Sequence, residues 1–224
     1  RYESSAASDV YKRQDFISEE LQQYIDKHSM EESDLLKALD RETHQKVLLP
    51  RMLSGSYQGR LLSLLSKMVR PKKILEVGTY TGYATLCLAE GLAKGGSIDT
   101  IDHNEELVNM QRRYFDQSPY SNQIVQHLGD AKDILKTLAG PYNLVFLDAD
   151  KENYPLYFDL IIDKLTTGGI LLSDNVLWSG KVLSSATDEA TTALQAYNQK
   201  INSDARVETI ILPVRDGLTI TRKC

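Results

Sequence analysis

Acids recur directly after short apolar runs in this chain: Glu76 in Ile74-Leu75-Glu76-Val77-Gly78, Asp102 after Ser97-Ile101, Asp130 after Gly129, Asp148 and Asp150 after Leu144-Leu147, and Asp174 with Asn175 after Ile170-Ser173. Such runs suit buried strands, and like charges gathered at strand ends repel one another unless they serve hydroxyls, amines or a cation. Asp148, Asp174 and Asn175 offer two carboxylates and an amide oxygen. These are hard ligands suited to a divalent cation, Mg²⁺ first and Mn²⁺ or Ca²⁺ as further candidates, with water or substrate oxygens completing the shell. His28, His44, His103 and His127 are scattered, and Cys87 and Cys224 read as plain thiols, so no softer ligand cluster competes.

A second chemical feature is the loop Gly78-Thr79-Tyr80-Thr81-Gly82, whose glycines permit a tight turn and close backbone approach. Its spacing is G-x-x-x-G, not the G-x-G-x-x-G that brings helix amides to a pyrophosphate. Glu76 beside it would repel phosphate and suits a cationic, amine-bearing ligand such as S-adenosylmethionine. Asp102, 24 residues after Gly78, is placed to accept hydrogen bonds from both ribose hydroxyls. NAD would use the same geometry. The residues alone therefore leave an NAD(H)-binding oxidoreductase and a non-catalytic cofactor-binding module open beside a transferase. Lys151, three residues beyond Asp148, is the candidate general base, and Trp178 is either an aromatic wall of the site or core packing. Tyr157 reads as packing and His103 as an ordinary loop histidine.

Positioning these groups requires strands that alternate with helices. The periodicity predicts a strand at Ile74–Val77, a helix from Tyr83 to Gly91, strand Ser97 to Ile101, helix Glu105 to Phe115, strand Ile124 to Leu128, helix Ala131 to Leu138 and strand Leu144 to Leu147. A helix near Tyr154 to Leu165, strand Ile170 to Ser173, helix Asp188 to Asn202 and strands near Val207 to Leu212 and Leu218 to Arg222 follow. Alternation of this kind means an α/β fold, Rossmann-like, with a mainly parallel sheet covered on both faces and ligands beyond the carboxyl ends of its strands. Pro213–Gly217 is too short for a parallel crossover, so the last strand should run antiparallel.

Before the first strand, Phe16, Leu21, Tyr24 and Ile25 share one helical face, Ser33 can cap a helix bearing Leu35, Leu36, Leu39 and Val47, and Leu61 to Val69 form an apolar helix that ends before Pro71. This N-terminal helical cap, about 15–70, belongs with a single domain spanning 15–224. Asp9–Gln14 reads like the translation of a sequencing-adaptor end, and residues 1–14 are set aside as a non-native or disordered tail. With 224 residues, 42% hydrophobic and 25% charged, the composition suits a globular domain with a full core. The absence of a long apolar run and of a secretion signal points to a cytoplasmic protein without a membrane partner. Residues 41–73 carry a local charge of +7 against −12 elsewhere, which suits solvated helix faces or an anionic partner such as RNA.

Three motifs in order, Leu75-Glu76-Val77-Gly78-Thr79-Tyr80-Thr81-Gly82-Tyr83, Phe146-Leu147-Asp148-Ala149-Asp150-Lys151 and Ser173-Asp174-Asn175-Val176-Leu177-Trp178, resemble those of the cation-dependent O-methyltransferases typified by caffeoyl-CoA O-methyltransferase. The ending Leu212 to Ile220 is similar as well. The resemblance implies the class I methyltransferase fold, seven strands with the last antiparallel. It also implies contacts to S-adenosylmethionine from Ser54, Glu76, Gly78, Thr79, Asp102, Ala131 and Asp150, and metal ligation by Asp148, Asp174 and Asn175. The implied substrate is a catechol-like or caffeoyl-type small aromatic diol, with a tRNA hydroxyuridine as the alternative, and the implied assembly is a homodimer. Ala84 and Ser179 depart from the family's usual serine and asparagine at those places.

Overall fold

In the computed structural model, which describes residues 18–185 and 188–224, the apolar runs become strands β1 (Lys73–Val77), β2 (Ser97–Asp102), β3 (Ile124–Leu128), β4 (Tyr142–Leu147), β5 (Leu165–Asp174), β6 (Val207–Leu212) and β7 (Leu218–Lys223). They form one seven-stranded sheet in the order β3-β2-β1-β4-β5-β7-β6. β1 to β5 pair in parallel, while β7 pairs antiparallel with both β5 and β6. Strand order turns back between β1 and β4, so the crevice beyond their carboxyl ends is the topological switch point where such sheets take ligands. The tail 1–14 and Phe16 lie outside the described residues.

Helices α1 (Glu19–Lys27), α2 (Asp34–Lys46), α3 (Gly55–Val69), α4 (Tyr83–Ala89), α5 (Val108–Gln117), α6 (Ala131–Thr137), α7 (Tyr154–Ile162) and α8 (Glu189–Ser203) surround the sheet. Because side chains alternate across a strand, β1 sends Ile74 into a core with Leu62, Leu86, Phe115 and Phe146, and Leu75 and Val77 into another with Tyr157, Phe158, Ile161 and Leu194. Ser33 caps α2 as predicted, its hydroxyl accepting from the Leu36 amide at 3.3 Å.

The sequence pattern misplaces two details. The helix expected to run to Leu165 stops at Ile162, and β5 begins at Leu165, because the Lys164 carbonyl accepts from the Tyr142 amide at 2.7 Å and Leu165 pairs with Tyr142. α3 packs Leu62, Leu61, Leu65 and Val69 on the core as its apolar pattern predicts, but Leu64 and Met68 are exposed while Gln58, Arg60, Ser63 and Ser66 are buried. Close approach to α4 explains the buried polar side. A Cβ at Gly59 would sit 2.6 Å from the Tyr83 ring, and the Ser66 hydroxyl donates to the Leu88 carbonyl at 2.6 Å. Small and polar residues let these backbones come together; leucines would hold them apart.

Arg60 ties the same two helices. Its guanidinium grips Glu90 through two nitrogens at 3.1 and 2.7 Å, and Ser63 and Lys67 donate to the same carboxylate. Burial alone would raise the Glu90 carboxyl, but Arg60, Lys67 and Ser63 hold it down to about 2. Removing one member of a buried pair strands the other charge, at a cost of about 3–5 kcal/mol. Glu90→Ala should therefore lower the urea midpoint sharply, whereas Asp163→Asn, at an exposed pair with Arg206, should leave it nearly unchanged. Equal midpoints for the two variants would refute this assignment.

Candidate active site

The carboxyl ends of β1, β2, β4 and β5 open into one cleft of ≈2190 Å³, lined by Gly78, Asp102, Ala131, Asp148, Asp150, Lys151, Asp174 and Asn175 among others. That is room for a nucleoside-sized ligand and a second small molecule together. A small recess beside it is lined by Ser54, Gly78, Thr79, Ala84 and Asp148. The topology thus gathers every sequence-predicted site residue except Glu76.

The glycine loop owes its shape to Gly78. With φ 104°, a Cβ here would stand 1.8 Å from the Asp148 carbonyl oxygen, so only glycine lets β1 turn so close to the end of β4. The Gly78 and Thr79 amides both donate to the Ile101 carbonyl, at 2.9 and 3.2 Å, which bends the loop toward β2. Tyr80 follows at φ 50°, and its amide donates to Asp102 Oδ2 at 2.6 Å. Asp102 Oδ1 accepts from the Asn104 amide at 2.8 Å. The carboxylate is thereby fixed by two main-chain donors, with lone pairs left toward the cleft.

Glu76 is placed differently from the other acids. The sequence reading set it against a bound cation, but it is fully buried and does not line the cleft. It lies on the same side of β1 as Ile74, behind the loop. Thr100 donates to its Oε2 at 2.5 Å, Thr85 donates to the same oxygen, and Oε1 has no partner. Burial pushes this carboxyl up to about 8, with Asp148 and Asp102 adding repulsion. A hydroxyl contact of 2.5 Å links Thr100 to Thr79. Glu76 therefore reaches the loop through two threonines, Thr100 and Thr79.

Lys151 and the acids of β4 and β5 form the densest polar cluster. The Lys151 ammonium, 7% exposed, donates to Asp148 Oδ1 at 2.9 Å and to the Tyr154 hydroxyl at 2.7 Å. The Tyr154 hydroxyl in turn lies within reach of the Asp174 and Leu147 carbonyls at 2.9 and 3.2 Å, and burial keeps it neutral by raising it well above the ordinary range. Asp174 is 2% exposed, and burial together with the charge of Asp148 pushes its carboxyl up to about 6. Gln58 donates to Asp174 Oδ2 at 2.7 Å and the Asn175 amide donates to Oδ1 at 2.8 Å. Asn175 itself holds a left-handed backbone, φ 59°, at the cleft wall. Among the described residues no group of three or more His, Cys, Asp and Glu side chains gathers in metal-holding geometry.

Asp150 accepts from the Tyr157 hydroxyl at 2.6 Å, so Tyr157 both packs and anchors an acid of the cleft. Trp178 lies between the two readings offered for it: it lines the cleft, and it also packs on the core formed by α7 and α8. His103 lines the cleft beside Asp102. Gln58, Tyr154 and Arg215 escaped the sequence reading because they come from separate stretches and follow no spacing rule; Arg215 stands 157 residues from the Gln58 it contacts.

Over residues 26–224 the chain matches the family model described as O-methyltransferase. The chain belongs to the O-methyltransferase family. A caffeoyl-CoA O-methyltransferase of Stellaria longipes is 33% identical over 92% of this chain and 91% of its own length. The catechol O-methyltransferase domain-containing protein 1 of mouse is 32% identical over 91% of this chain and 79% of its own. Among solved structures, the O-methyltransferase from Bacillus cereus in complex with SAH superposes with a TM-score of 0.85 at 25% identity, covering 92% of this chain and 97% of that one. SAH-bound Podospora anserina methyltransferase PaMTH1 gives 0.86 at 26%, covering 96% and 98%. The seven-stranded order with an antiparallel last strand is the fold of these methyltransferases.

The buried Glu76 gives this O-methyltransferase a specific pH signature. Its unfolded chain loses the Glu76 proton near 4.5, its folded form only near 8. The stability that this group contributes is full below about pH 4.5 and is lost as pH rises toward about 8, because the folded state binds the extra proton in that window. Glu76→Gln should remove this component, so that urea midpoints of wild type fall relative to those of the variant between pH 5 and pH 8. Parallel profiles would show that Glu76 is ionised in the folded protein.

Proposed function

We propose that this S-adenosylmethionine-dependent O-methyltransferase moves a methyl group to one hydroxyl of a small aromatic diol, with a divalent cation held by Asp148, Asp174 and Asn175. The observation that carries the reading is the meeting of two acids and an amide at the ends of β4 and β5, in the same cleft as the glycine loop and Asp102. The donor set fits such a cation. Its oxygens are hard, and Asp174 is pressed toward its protonated form by burial and by Asp148, a strain that added positive charge would relieve. When bound, the cation would act as a Lewis acid that lowers the pKa of the substrate hydroxyl.

The chain's own groups supply the remaining work. Asp102, pinned by two amides, would accept from ribose hydroxyls, and Asp150 and the start of α6 at Ala131 would flank the rest of the nucleoside. Ser54, Gly78 and Thr79 around the small recess would hold the amino-acid end of the methyl donor. Lys151 is the base of this reading. Its nitrogen is an ammonium in an ion pair with Asp148 and must first give up its own proton before it can take one from the substrate hydroxyl. Holding oxygen, methyl carbon and sulfur in line is a matter of alignment, and near-attack geometry can remove roughly 7–11 kcal/mol of barrier.

Leu48, Leu49 and Met52 at the mouth and Trp178 on the wall give a flat apolar approach suited to an aromatic ring. Four of the eight basic side chains in the stretch that suggested RNA are engaged within the protein. Arg60 and Lys67 pair with Glu90, Lys46 with Glu42 and Lys73 with Asp99. Arg41, Arg51, Arg70 and Lys72 stand outside those pairs, so it is the apolar approach, and not a lack of cations, that favours the small substrate.

Isotope transfer from methyl-labelled S-adenosylmethionine to a catechol panel and to bulk tRNA tests the reading. Transfer to a catechol should stop with EDTA and return with excess Mg²⁺, and Lys151→Ala should lower kcat by roughly 10²–10⁴. Transfer that ignores EDTA would overturn the cation, and labelled tRNA with unlabelled catechols would overturn the substrate.

A further inference from the structure

The Asp174 carboxylate is held by a relay that begins on the far side of the cleft. Gln58, on α3, is 1% exposed; its Nε2 donates to Asp174 Oδ2 at 2.7 Å, and its Oε1 accepts from Arg215 at 3.0 Å. Arg215 sits in the loop between β6 and β7, and the same guanidinium nitrogen also donates to the Ser54 carbonyl. An amide can in principle be turned either way round. Here it cannot, because a guanidinium only donates, so Arg215 obliges the amide to point its oxygen outward and its NH₂ at Asp174.

We infer that Gln58 is a positioning residue for the Asp174 carboxylate, set in orientation by Arg215, and that it fixes that ligand for the cation. The inference rests on the cation reading given above. Three details support it. Asp174 is gripped at both oxygens, Oδ2 by Gln58 and Oδ1 by the Asn175 amide, so the carboxylate plane cannot rotate freely. Gln58 presents a donor and so cannot itself compete as an oxygen ligand. Moreover, it comes from α3, an element that contributes none of the proposed ligands, and Ser54 immediately precedes that helix and lines the recess. The relay therefore joins three separate stretches of chain at one carboxylate.

Groups that hydrogen-bond a metal ligand from behind usually change metal affinity by 10–100-fold when removed. Titration of Mn²⁺ followed by electron paramagnetic resonance reads this directly, without turnover, on wild type, Gln58→Met, Arg215→Leu, the double variant and Asp174→Asn. Met has the length of Gln but no donor. Gln58→Met should weaken Mn²⁺ binding about 10–100-fold while leaving the Kd for SAH within about twofold. Arg215→Leu, a change at an exposed side chain that the fold should tolerate, should weaken it less and in the same direction. The double variant should be no weaker than Gln58→Met alone, since both act through one relay. Should Gln58→Met fail to fold, as judged by circular dichroism, Arg215→Leu against wild type decides the matter. Equal Mn²⁺ affinity in wild type and the relay variants, with a lowered Tm, would make Gln58 merely structural and overturn the inference while leaving the cation reading intact. Absence of Mn²⁺ binding by wild type, unchanged in Asp174→Asn, would instead overturn the cation reading itself and the inference with it.

Discussion

Crowding of negative charge at one edge of a parallel sheet is the constraint on which the rest of this structure depends. Asp102, Asp148, Asp150 and Asp174 all arrive there because each follows an apolar strand. Left alone they would repel one another in a cleft of lowered dielectric. Each is quieted by a different device. Asp148 has the Lys151 ammonium, Asp150 the Tyr157 hydroxyl, Asp102 two backbone amides, and Asp174 an amide on either oxygen. Glu76 alone is withdrawn from the cleft, where burial favours its protonated form and threonine hydroxyls surround one oxygen.

The devices also divide the labour of the cleft. Main-chain amides cannot swing, so Asp102 is held in one orientation. Lys151 is different: its partners are side chains, a carboxylate and a phenol, and its ion pair can be exchanged for another. Rigid support for the group proposed to meet the ribose and exchangeable support for the proposed base is a sensible distribution, since binding gains from preorganisation while proton transfer needs a group that can change state.

The strand ends, the glycine turn and the antiparallel finish were legible in the sequence because each rests on a local rule: strand period, φ permissiveness at Gly78, a connection too short to cross over. The family was legible for the same reason, through three contiguous motifs. What was not legible was decided by distant contacts. Glu76 reads as an acid at the strand end beside Gly78, yet strand alternation sends its side chain to the same side as Ile74, where it is fully buried behind the loop. α3 reads as a leucine helix and does bury Leu62, yet a polar side of it faces inward as well because Gly59 and Ser66 admit α4 so closely. Gln58 carries no motif, Arg215 lies in the similar ending Leu212 to Ile220 but with no role marked by it, and their contact exists only once β6, β7 and α3 are assembled.

That assembly explains why the last strand must run backwards. β7 pairs with β5 so that Leu218 stands opposite Asp174, and Leu218 also pairs with Leu212 at the end of β6. The loop 213–217 is thereby delivered to the carboxyl edge of the sheet, next to the acids. There the Asp216 carbonyl accepts from the Leu177 amide at 2.9 Å, its carboxylate accepts from the Ser179 amide at 2.5 Å, and the Gly217 carbonyl accepts from the Val176 amide at 3.2 Å. These contacts pin the segment after Asn175, including Ser179 in its left-handed conformation. A Cβ at Gly217 would fall 2.4 Å from the Leu177 side chain, so the two loops can lie this close only with glycine there. A parallel seventh strand would have brought the chain end to this edge in place of a loop, with no Arg215 to orient Gln58 and no Asp216 to hold the Trp178–Ser179 turn. The reversed strand is thus part of the site's chemistry: it closes the cleft with backbone that the parallel strands cannot provide.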